Sequence, residues 1–201
     1  MLVYKYLINK KLMSALFDLY LGFADLTRTY SLSQFVETGC YMGEGLSYAQ
    51  QVGYVNMYSC DIDNARVVDC QSKFPNSVIL HQESVSFLEQ VLPQVHGATM
   101  FWLDAHYPAD YGQVESAETK FPVIEEILRI KKYKSNYQQD VIIIDDIRVL
   151  DSPDNPLINP SIGEYYMIDL SIQQLALLLS DTHRHYLAHT DTGNLIFVPK
   201  Y

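Results

Sequence analysis

The chain has 201 residues, of which 48% are hydrophobic and 19% charged. It is long enough to bury a core, and we expect one domain over residues 1–201. The formal net charge of -10 at pH 7 repels phosphate backbones and argues against nucleic acid as a partner. No apolar run approaches the ~20 residues that a membrane-spanning helix needs. The 3 cysteines show no metal-ligand spacing, which indicates thiols in a reducing, cytoplasmic setting.

The chain begins with a segment of helical character and then alternates between strands and helices. Leucines near helical spacing predict a first helix over 2–27, with its end near Asp25 and Thr27. Hydrophobic patterns predict strands over 34–38, 56–60, 77–81, 99–104, 141–144, 186–189 and 195–198. Helices are predicted over 43–52, 64–73, 84–91, 122–132 and 170–179.

Alternation of strands and helices predicts an α/β fold with a doubly wound, mostly parallel, seven-stranded Rossmann-like sheet. The turn sequence Asp191-Thr192-Gly193-Asn194 lies between the last two strands. It predicts an antiparallel C-terminal hairpin at one edge of the sheet. Segments 105–120 and 150–165 are polar and too long for simple connectors, so we expect substrate or lid loops there.

The segment from Phe35 to Gly45 carries the strongest local signal. An apolar strand ends on Glu37, a turn with three glycines follows, and a helix begins. Glycine lets the backbone turn tightly and lets a ligand come close. About twenty residues later the next strand ends on Asp61, a separation at which an acid can take the ribose hydroxyls of a nucleotide. Together the two segments suggest an adenosine-containing ligand at the edge of a parallel sheet.

Acidic residues close several predicted strands: Glu37, Asp61, Asp104, Asp145 and Asp146. Ligands of open α/β sheets lie outside the carboxyl ends of the strands, so we expect these acids along one rim. A cluster of like charges is costly unless a cation or hydrogen-bond donors compensate it. The last three acids could converge on Mg²⁺, which prefers oxygen ligands. In the alternative interpretation, Asp145 and Asp146 cap the following segment or pair with Arg148.

Residues from Phe35 to Ile147 resemble the class I S-adenosylmethionine-dependent methyltransferases, most closely the metal-dependent O-methyltransferases of the catechol and macrolide-sugar kinds. Glu37-Thr38-Gly39-Cys40-Tyr41-Met42-Gly43 is similar to the family's acid-x-G-x-x-x-G turn, which holds the methionine part of the cofactor. Leu103-Asp104-Ala105-His106-Tyr107 is similar to the segment with the first metal ligand. Ile144-Asp145-Asp146 is similar to the segment with the other two.

The resemblance implies S-adenosylmethionine and Mg²⁺ as cofactors. It implies metal ligation by Asp104, Asp145 and Asp146 and places Gln82, Glu83 and Ser84 on the adenine side. The full set of implied cofactor contacts is Glu37, Gly39, Tyr41, Gly43, Asp61, Ile62, Gln82, Glu83, Ser84 and Asp104.

The general base does not carry over from the family. The catechol enzymes have a lysine three residues beyond the first metal ligand, and Tyr107 stands in that place here. His106 is the leading candidate for proton removal because an unperturbed imidazole has a pKa of about 6.5. Its alternative role is that of a loop histidine bonded to backbone. Tyr107 is the second candidate, although phenols ionise near pH 10, and Asp104 completes the catalytic set.

We therefore expect an O-methyltransferase that acts on a hydroxylated small molecule or sugar. Two alternatives stay open: a Rossmann-like enzyme for another adenosine nucleotide, and a non-catalytic binding module on the same fold. The absence of G-x-G-x-x-G argues against a dehydrogenase. The N-terminal helix could cover the active site or form the contact of a homo-oligomer.

Overall fold

A seven-stranded sheet forms the centre of the computed structural model, which describes residues 19–106, 121–159, 167–188 and 192–200. Its strands are β1 (Gln34–Thr38), β2 (Asn56–Asp61), β3 (Val78–His81), β4 (Thr99–Leu103), β5 (Val141–Ile144), β6 (His183–Ala188) and β7 (Asn194–Pro199). They lie in the order β3-β2-β1-β4-β5-β7-β6.

The first five strands run parallel, and β7 is antiparallel to both β5 and β6. The prediction of a mostly parallel sheet with an antiparallel C-terminal hairpin is therefore confirmed. In the central strands Thr38 is opposite Leu103, and Leu103 is opposite Ile144. This register brings the carboxyl ends of β1, β4 and β5 to the same end of the sheet. The apolar sequence of β5 is buried on both faces, as is usual for an inner parallel strand.

Helices cover both faces of the sheet. They are α1 (Leu19–Tyr30), α2 (Glu44–Val52), α3 (Asn64–Lys73), α4 (Ser84–Val91), α5 (Val123–Tyr133) and α6 (Ile172–Leu179). Residues of α1, α2 and α3 share one core with Phe35 and Trp102. Residues of α4, α5 and α6 share the other core with Val36 and Phe101. None of the helices in the described ranges is long and apolar enough to cross a bilayer.

Some element boundaries differ from the predicted ones. Helix α1 continues past Thr27 to Tyr30. The Thr27 hydroxyl donates to Phe23 O at 2.7 Å, so its hydrogen bond is made within the helix and does not end it. Residues 2–18 of that predicted helix lie outside the described ranges. Strand β6 begins at His183, three residues earlier than predicted, and pairs with β7 as far as Pro199. The first residues of β6 are polar, so the hydrophobic pattern did not predict them as part of the strand. An edge strand tolerates polar residues that an inner strand does not.

A buried ion pair ties together the amino ends of β4 and β5. Lys134 Nζ lies 3.0 Å from Asp140 Oδ1, and both side chains are almost fully buried. Lys134 Nζ also donates to Gly97 O at 2.7 Å, and Asp140 Oδ1 accepts the Thr99 N–H at 2.9 Å. This pair lies at the amino ends of the parallel strands, whereas the acidic residues lie at their carboxyl ends.

Candidate functional site

The carboxyl ends of the strands meet at one edge through backbone hydrogen bonds. Gly39 N and Cys40 N both donate to Cys60 O, at 3.0 and 2.8 Å, so the glycine turn lies beside the end of β2. Asp104 N donates to Thr38 O at 3.0 Å, next to the same turn. Asp145 N donates to Leu103 O at 3.0 Å, which continues this edge to β5. The structure therefore brings together the predicted acids of this rim, Glu37, Asp61, Asp104, Asp145 and Asp146.

Gly39 is needed where the turn approaches the end of β4. Its φ of +83° lies in the left-handed region, and an added Cβ would lie 2.6 Å from Asp104 O. Gly43 has a φ of +84°, and its added Cβ would lie 2.7 Å from the Phe74 ring. Any larger residue would therefore be strained and crowded at both positions. The sequence analysis explained these glycines by the close approach of a ligand. The structure shows that neighbouring protein atoms also leave no space for a side chain at these two positions.

Glu37 supports the turn from below. Its side chain is buried with 2% exposure, and Oε2 accepts a 2.6 Å hydrogen bond from Ser59 Oγ. Burial, opposed by the Ser59 bond and aided by the charges of Asp104 and Asp61, raises the pKa of Glu37 to about 8. The Glu37 carboxyl thus lies beneath the turn, and its contact with a cofactor stays a prediction.

Asp61 joins the end of β2 to the glycine turn. Its Oδ2 accepts the Tyr41 N–H at 3.0 Å, and its Oδ1 accepts the Asp63 N–H at 2.9 Å. Each carboxylate oxygen has two lone pairs, so both can accept a further donor. Gln82 N donates to Asp61 O at 3.0 Å, which places the residues after β3 alongside. Asp61 therefore joins the glycine turn to the residues that follow β3.

Exposed apolar side chains lie next to Asp61 in the chain or in the turn. Tyr41, Met42 and Ile62 are 51%, 52% and 44% exposed. The Arg66 guanidinium lies 4.3 Å from the centroid of the Tyr41 ring and limits its movement. Tyr41 has a φ of +40°, an uncommon conformation for a bulky residue outside functional turns. Exposed apolar surface therefore lies beside Asp61 at this end of the sheet.

His106 lies between two carboxylates. Its Nδ1 is 2.9 Å from Asp104 Oδ1, and its Nε2 is 2.6 Å from Asp146 Oδ2. Burial alone would lower the pKa of His106, but the contacts with Asp104 and Asp146 outweigh it and raise the pKa to about 10. His106 is therefore an imidazolium at neutral pH in this arrangement, and both of its ring nitrogens contact carboxylates.

Arg148 is the second cation in this cluster. Its Nε lies 2.5 Å from Asp146 Oδ1, so the pairing that the sequence left as an alternative is the one found. Burial raises the pKa of Asp146, yet His106 and Arg148 outweigh burial and hold the pKa below its usual value. Asp146 also has a φ of +57°, which turns its side chain back toward the strand ends.

The Asp145 carboxylate is hydrogen-bonded to the C-terminal hairpin. Its Oδ1 accepts from Thr192 Oγ1 at 2.6 Å, from Asn194 Nδ2 at 2.6 Å and from Asp146 N at 2.7 Å. Burial and the charge of Asp104 raise the pKa of Asp145 to about 7. The sequence analysis treated Thr192 and Asn194 only as turn residues. Their polar side chains in a turn that meets the acidic edge were the available signal.

The residues at this edge do not fit Mg²⁺ in the arrangement they have. Within the described ranges, no group of three or more His, Cys, Asp or Glu side chains is placed to hold a metal ion. Mg²⁺ needs octahedral oxygen ligands, whereas Asp146 is paired with two cations and Asp145 Oδ1 already accepts three donors. The prediction of a metal site at Asp104, Asp145 and Asp146 is therefore not supported. Side chains of the chain itself supply the compensating positive charge.

The other predicted site residues either differ in their exposure or lie outside the described ranges. Gln82 is half-buried and Glu83 exposed after β3, whereas Ser84 is buried beneath the surface at the start of α4. Tyr107 lies outside the described ranges, as do residues 107–120 of the first polar loop and residues 160–165 of the second. Ser59 was missed, although a serine two residues before Asp61 in a mostly buried strand was a usable signal.

Comparison with known proteins supports the fold. Neither protein-family models nor curated protein sequences match the chain. A solved structure of the SAH-bound methyltransferase PaMTH1 from Podospora anserina matches with a TM-score of 0.54 at 11% identity, covering 91% of this chain and 78% of that one. The O-methyltransferase from Bacillus cereus in complex with SAH matches with a TM-score of 0.56 at 10% identity, covering 92% and 82%. At these identities the likeness concerns architecture, and this chain has the Rossmann-like fold of those methyltransferases.

Proposed function

We propose that this chain is an S-adenosylmethionine-dependent methyltransferase that methylates a hydroxyl of a small molecule or sugar. The observation that carries the proposal is the bond from the Tyr41 N–H to the Asp61 carboxylate, which joins the glycine turn to the predicted ribose acid. The fold shared with two SAH-bound methyltransferase structures supports it.

The donor set at the rim suits this cofactor. Asp61 would accept the ribose hydroxyls, Ile62 would pack against the adenine, and Gln82 and Glu83 would reach its edge. S-adenosylmethionine carries its methyl group on a positively charged sulfonium, which a nearby carboxylate attracts. The glycine turn does not have the G-x-G-x-x-G sequence that is typical of dinucleotide-binding sites. The turn sequence therefore favours S-adenosylmethionine over NAD.

Proton removal from the substrate hydroxyl falls to the cluster around His106. General bases work best with a pKa near the operating pH, whereas the contacts with Asp104 and Asp146 raise the pKa of His106 to about 10. His106 would therefore have to release its proton to solvent before it could take one from the substrate hydroxyl. The positive charge of a bound sulfonium near Asp104 would favour this release, because a like charge lowers the pKa of His106. Asp104 holds the imidazole in place through the 2.9 Å contact to Nδ1. Tyr107 remains the second candidate from the sequence.

Metal assistance is the part of the sequence hypothesis that requires the cluster to rearrange. A metal ion at Asp104, Asp145 and Asp146 would have to displace His106 and Arg148 from Asp146. We therefore assign no step to a metal, and a chelation experiment decides the question. Turnover that disappears with EDTA and returns with Mg²⁺ would restore the metal to the mechanism.

The test is transfer of labelled methyl from S-adenosylmethionine to a panel of hydroxylated small molecules and sugars. We expect labelled product with the wild-type chain and at least a tenfold loss, about 1.4 kcal/mol in the barrier, in Asp104→Asn. Asp69→Ala, which removes an exposed carboxylate that pairs with Lys73, is the matched control and should retain activity. Thermal stabilisation by NAD but not by S-adenosylmethionine would overturn the proposal in favour of a dinucleotide enzyme.

A further inference from the structure

Glu126 is a buried acid on the core-facing side of α5. It follows Val123 by three residues and precedes Ile130 by four, so it lies on the same apolar stripe of the helix. Its exposure is 1%. Burial raises its pKa to about 7, although the hydroxyls of Ser84 and Thr38 oppose this effect. Buried acids are rarely retained in a helical core stripe unless they have polar partners.

The partners of Glu126 come from different parts of the chain. Thr38 is the last residue of β1, and Ser84 is the first residue of α4. Thr38 Oγ1 also accepts the Asp104 N–H at 3.3 Å, so the hydroxyl between Glu126 and Asp104 contacts both. Glu126 Oε1 and Ser84 Oγ are buried and make no well-aligned hydrogen bond to the described residues. The Glu126 carboxyl therefore lies where the ends of β1 and β4 and the start of α4 come together.

These three segments are the ones that surround the candidate cofactor site. Thr38 directly precedes Gly39 of the turn, Asp104 begins the acidic cluster, and Ser84 directly follows Gln82 and Glu83. A side chain that fixes their relative positions from beneath affects ligand affinity without touching the ligand. Small displacements matter because binding geometry tolerates errors of only about 0.5 Å.

We propose that Glu126 is a positioning residue that holds the glycine turn, the Asp104 segment and the Gln82–Ser84 segment in the spacing that binds the cofactor. This inference depends on the proposed function, because its readout is affinity for S-adenosylhomocysteine. It assigns to Glu126 a contribution to affinity that is separate from its contribution to the stability of the fold. Removal of the carboxyl is therefore expected to weaken binding even at temperatures where the variant is fully folded.

The experiment measures S-adenosylhomocysteine affinity by calorimetry and thermal stability on the same variants. Glu126→Leu should weaken binding about tenfold or more, the size of a lost hydrogen bond to a charged group. Its melting temperature should also fall, because the Ser84 and Thr38 hydroxyls lose a buried partner, so affinity is measured at a temperature where the variant is folded. Glu126→Gln keeps an acceptor for the two hydroxyls and should recover most of the affinity. Glu125→Gln, on the exposed side of the same helix, is the matched control and should bind as the wild type.

A double-mutant cycle tests the proposed route through Thr38. Thr38→Val should weaken binding, and its effect should not add to that of Glu126→Leu, because both remove the same contact. If Glu126→Leu does not fold, Glu126→Gln and Thr38→Val decide, and wild-type affinity in both overturns the inference. Parallel loss of affinity and stability in Glu126→Leu, with no recovery in Glu126→Gln, overturns it as well. If the wild-type chain itself does not bind S-adenosylhomocysteine, the proposed function fails and this inference fails with it.

Discussion

The carboxyl of Glu37 lies directly beneath Gly45, so that a Cβ added at Gly45 would be 2.0 Å from Glu37 Oε1. Glycine at this position is therefore a packing requirement of the buried acid below the turn. The first turn of α2 can approach β1 only because residue 45 has no side chain. The glycine turn and the buried acid Glu37 of β1 are thus packed as one unit.

Gly45→Ala should destabilise the fold through this contact. Overpacking of a close contact typically costs about 1–3 kcal/mol, and urea unfolding of the variant should show a loss in that range. The double variant Gly45→Ala with Glu37→Asp should recover part of the loss, because the shorter acid withdraws from the added methyl group. If Gly45→Ala has wild-type stability, the contact does not limit residue 45.

Glu37 should make stability depend on pH in a defined direction. Its pKa is about 8 in the folded chain and has an ordinary value of 4.5, so between these values the folded state holds a proton that the unfolded state has released. The free energy of unfolding then falls as pH rises through this window, by up to about 1.4 kcal/mol per pH unit for one group. The contribution is complete below pH 4.5 and is lost as pH rises through 8.

The comparison of wild type with Glu37→Gln isolates this effect, since Glu126, Asp140 and Asp145 also have raised pKa values and contribute with the same sign. Urea unfolding from pH 5 to pH 9 should show a decline in the wild type that is less steep in Glu37→Gln. Equal slopes in the two proteins would mean that Glu37 is ionised throughout.

Lys134 should stabilise the fold without affecting the cofactor site. Lys134→Met leaves Asp140 buried without its cation, and breaking one side of a buried pair costs about 3–5 kcal/mol. The folded variant should bind S-adenosylhomocysteine with wild-type affinity, because the pair lies at the amino edge of the sheet. Thermal unfolding and calorimetry together check this, and loss of affinity at a temperature where the variant is folded would show that the two edges are coupled.

The sequence predicted the sheet and its acidic rim because both depend on local patterns. Strand length, β-branched content and the acids at the ends of β1, β2, β4 and β5 are readable residue by residue, and the parallel order then places the carboxyl ends together. The partners of the acids were not readable in this way. Arg148 reaches Asp146 through a left-handed turn at Asp146, and Thr192 and Asn194 reach Asp145 from 47 and 49 positions along the chain. The predicted metal site is not supported by this arrangement, because His106 and Arg148 pair with Asp146 and the hairpin residues bond to Asp145.

Glu126 is a second residue whose contacts could not be predicted from the sequence. Its place on the apolar stripe was visible in the sequence, since it is spaced with Val123 and Ile130. What it contacts was not visible, because Thr38 and Ser84 reach it only after three separate elements have packed. A charged residue on a core stripe is thus a signal that the sequence provides, while its meaning comes from tertiary structure.

The most direct test of the account is calorimetric titration of S-adenosylhomocysteine into the wild type, Asp61→Ala and the surface control Asp69→Ala. We predict that the wild type and the control bind equally, with one site per chain. Asp61→Ala should bind about tenfold more weakly or worse, since it loses the acceptor for the ribose and for the Tyr41 N–H. Equal affinity in Asp61→Ala, or no binding to the wild type, would contradict the claim that the glycine turn and Asp61 form a cofactor site.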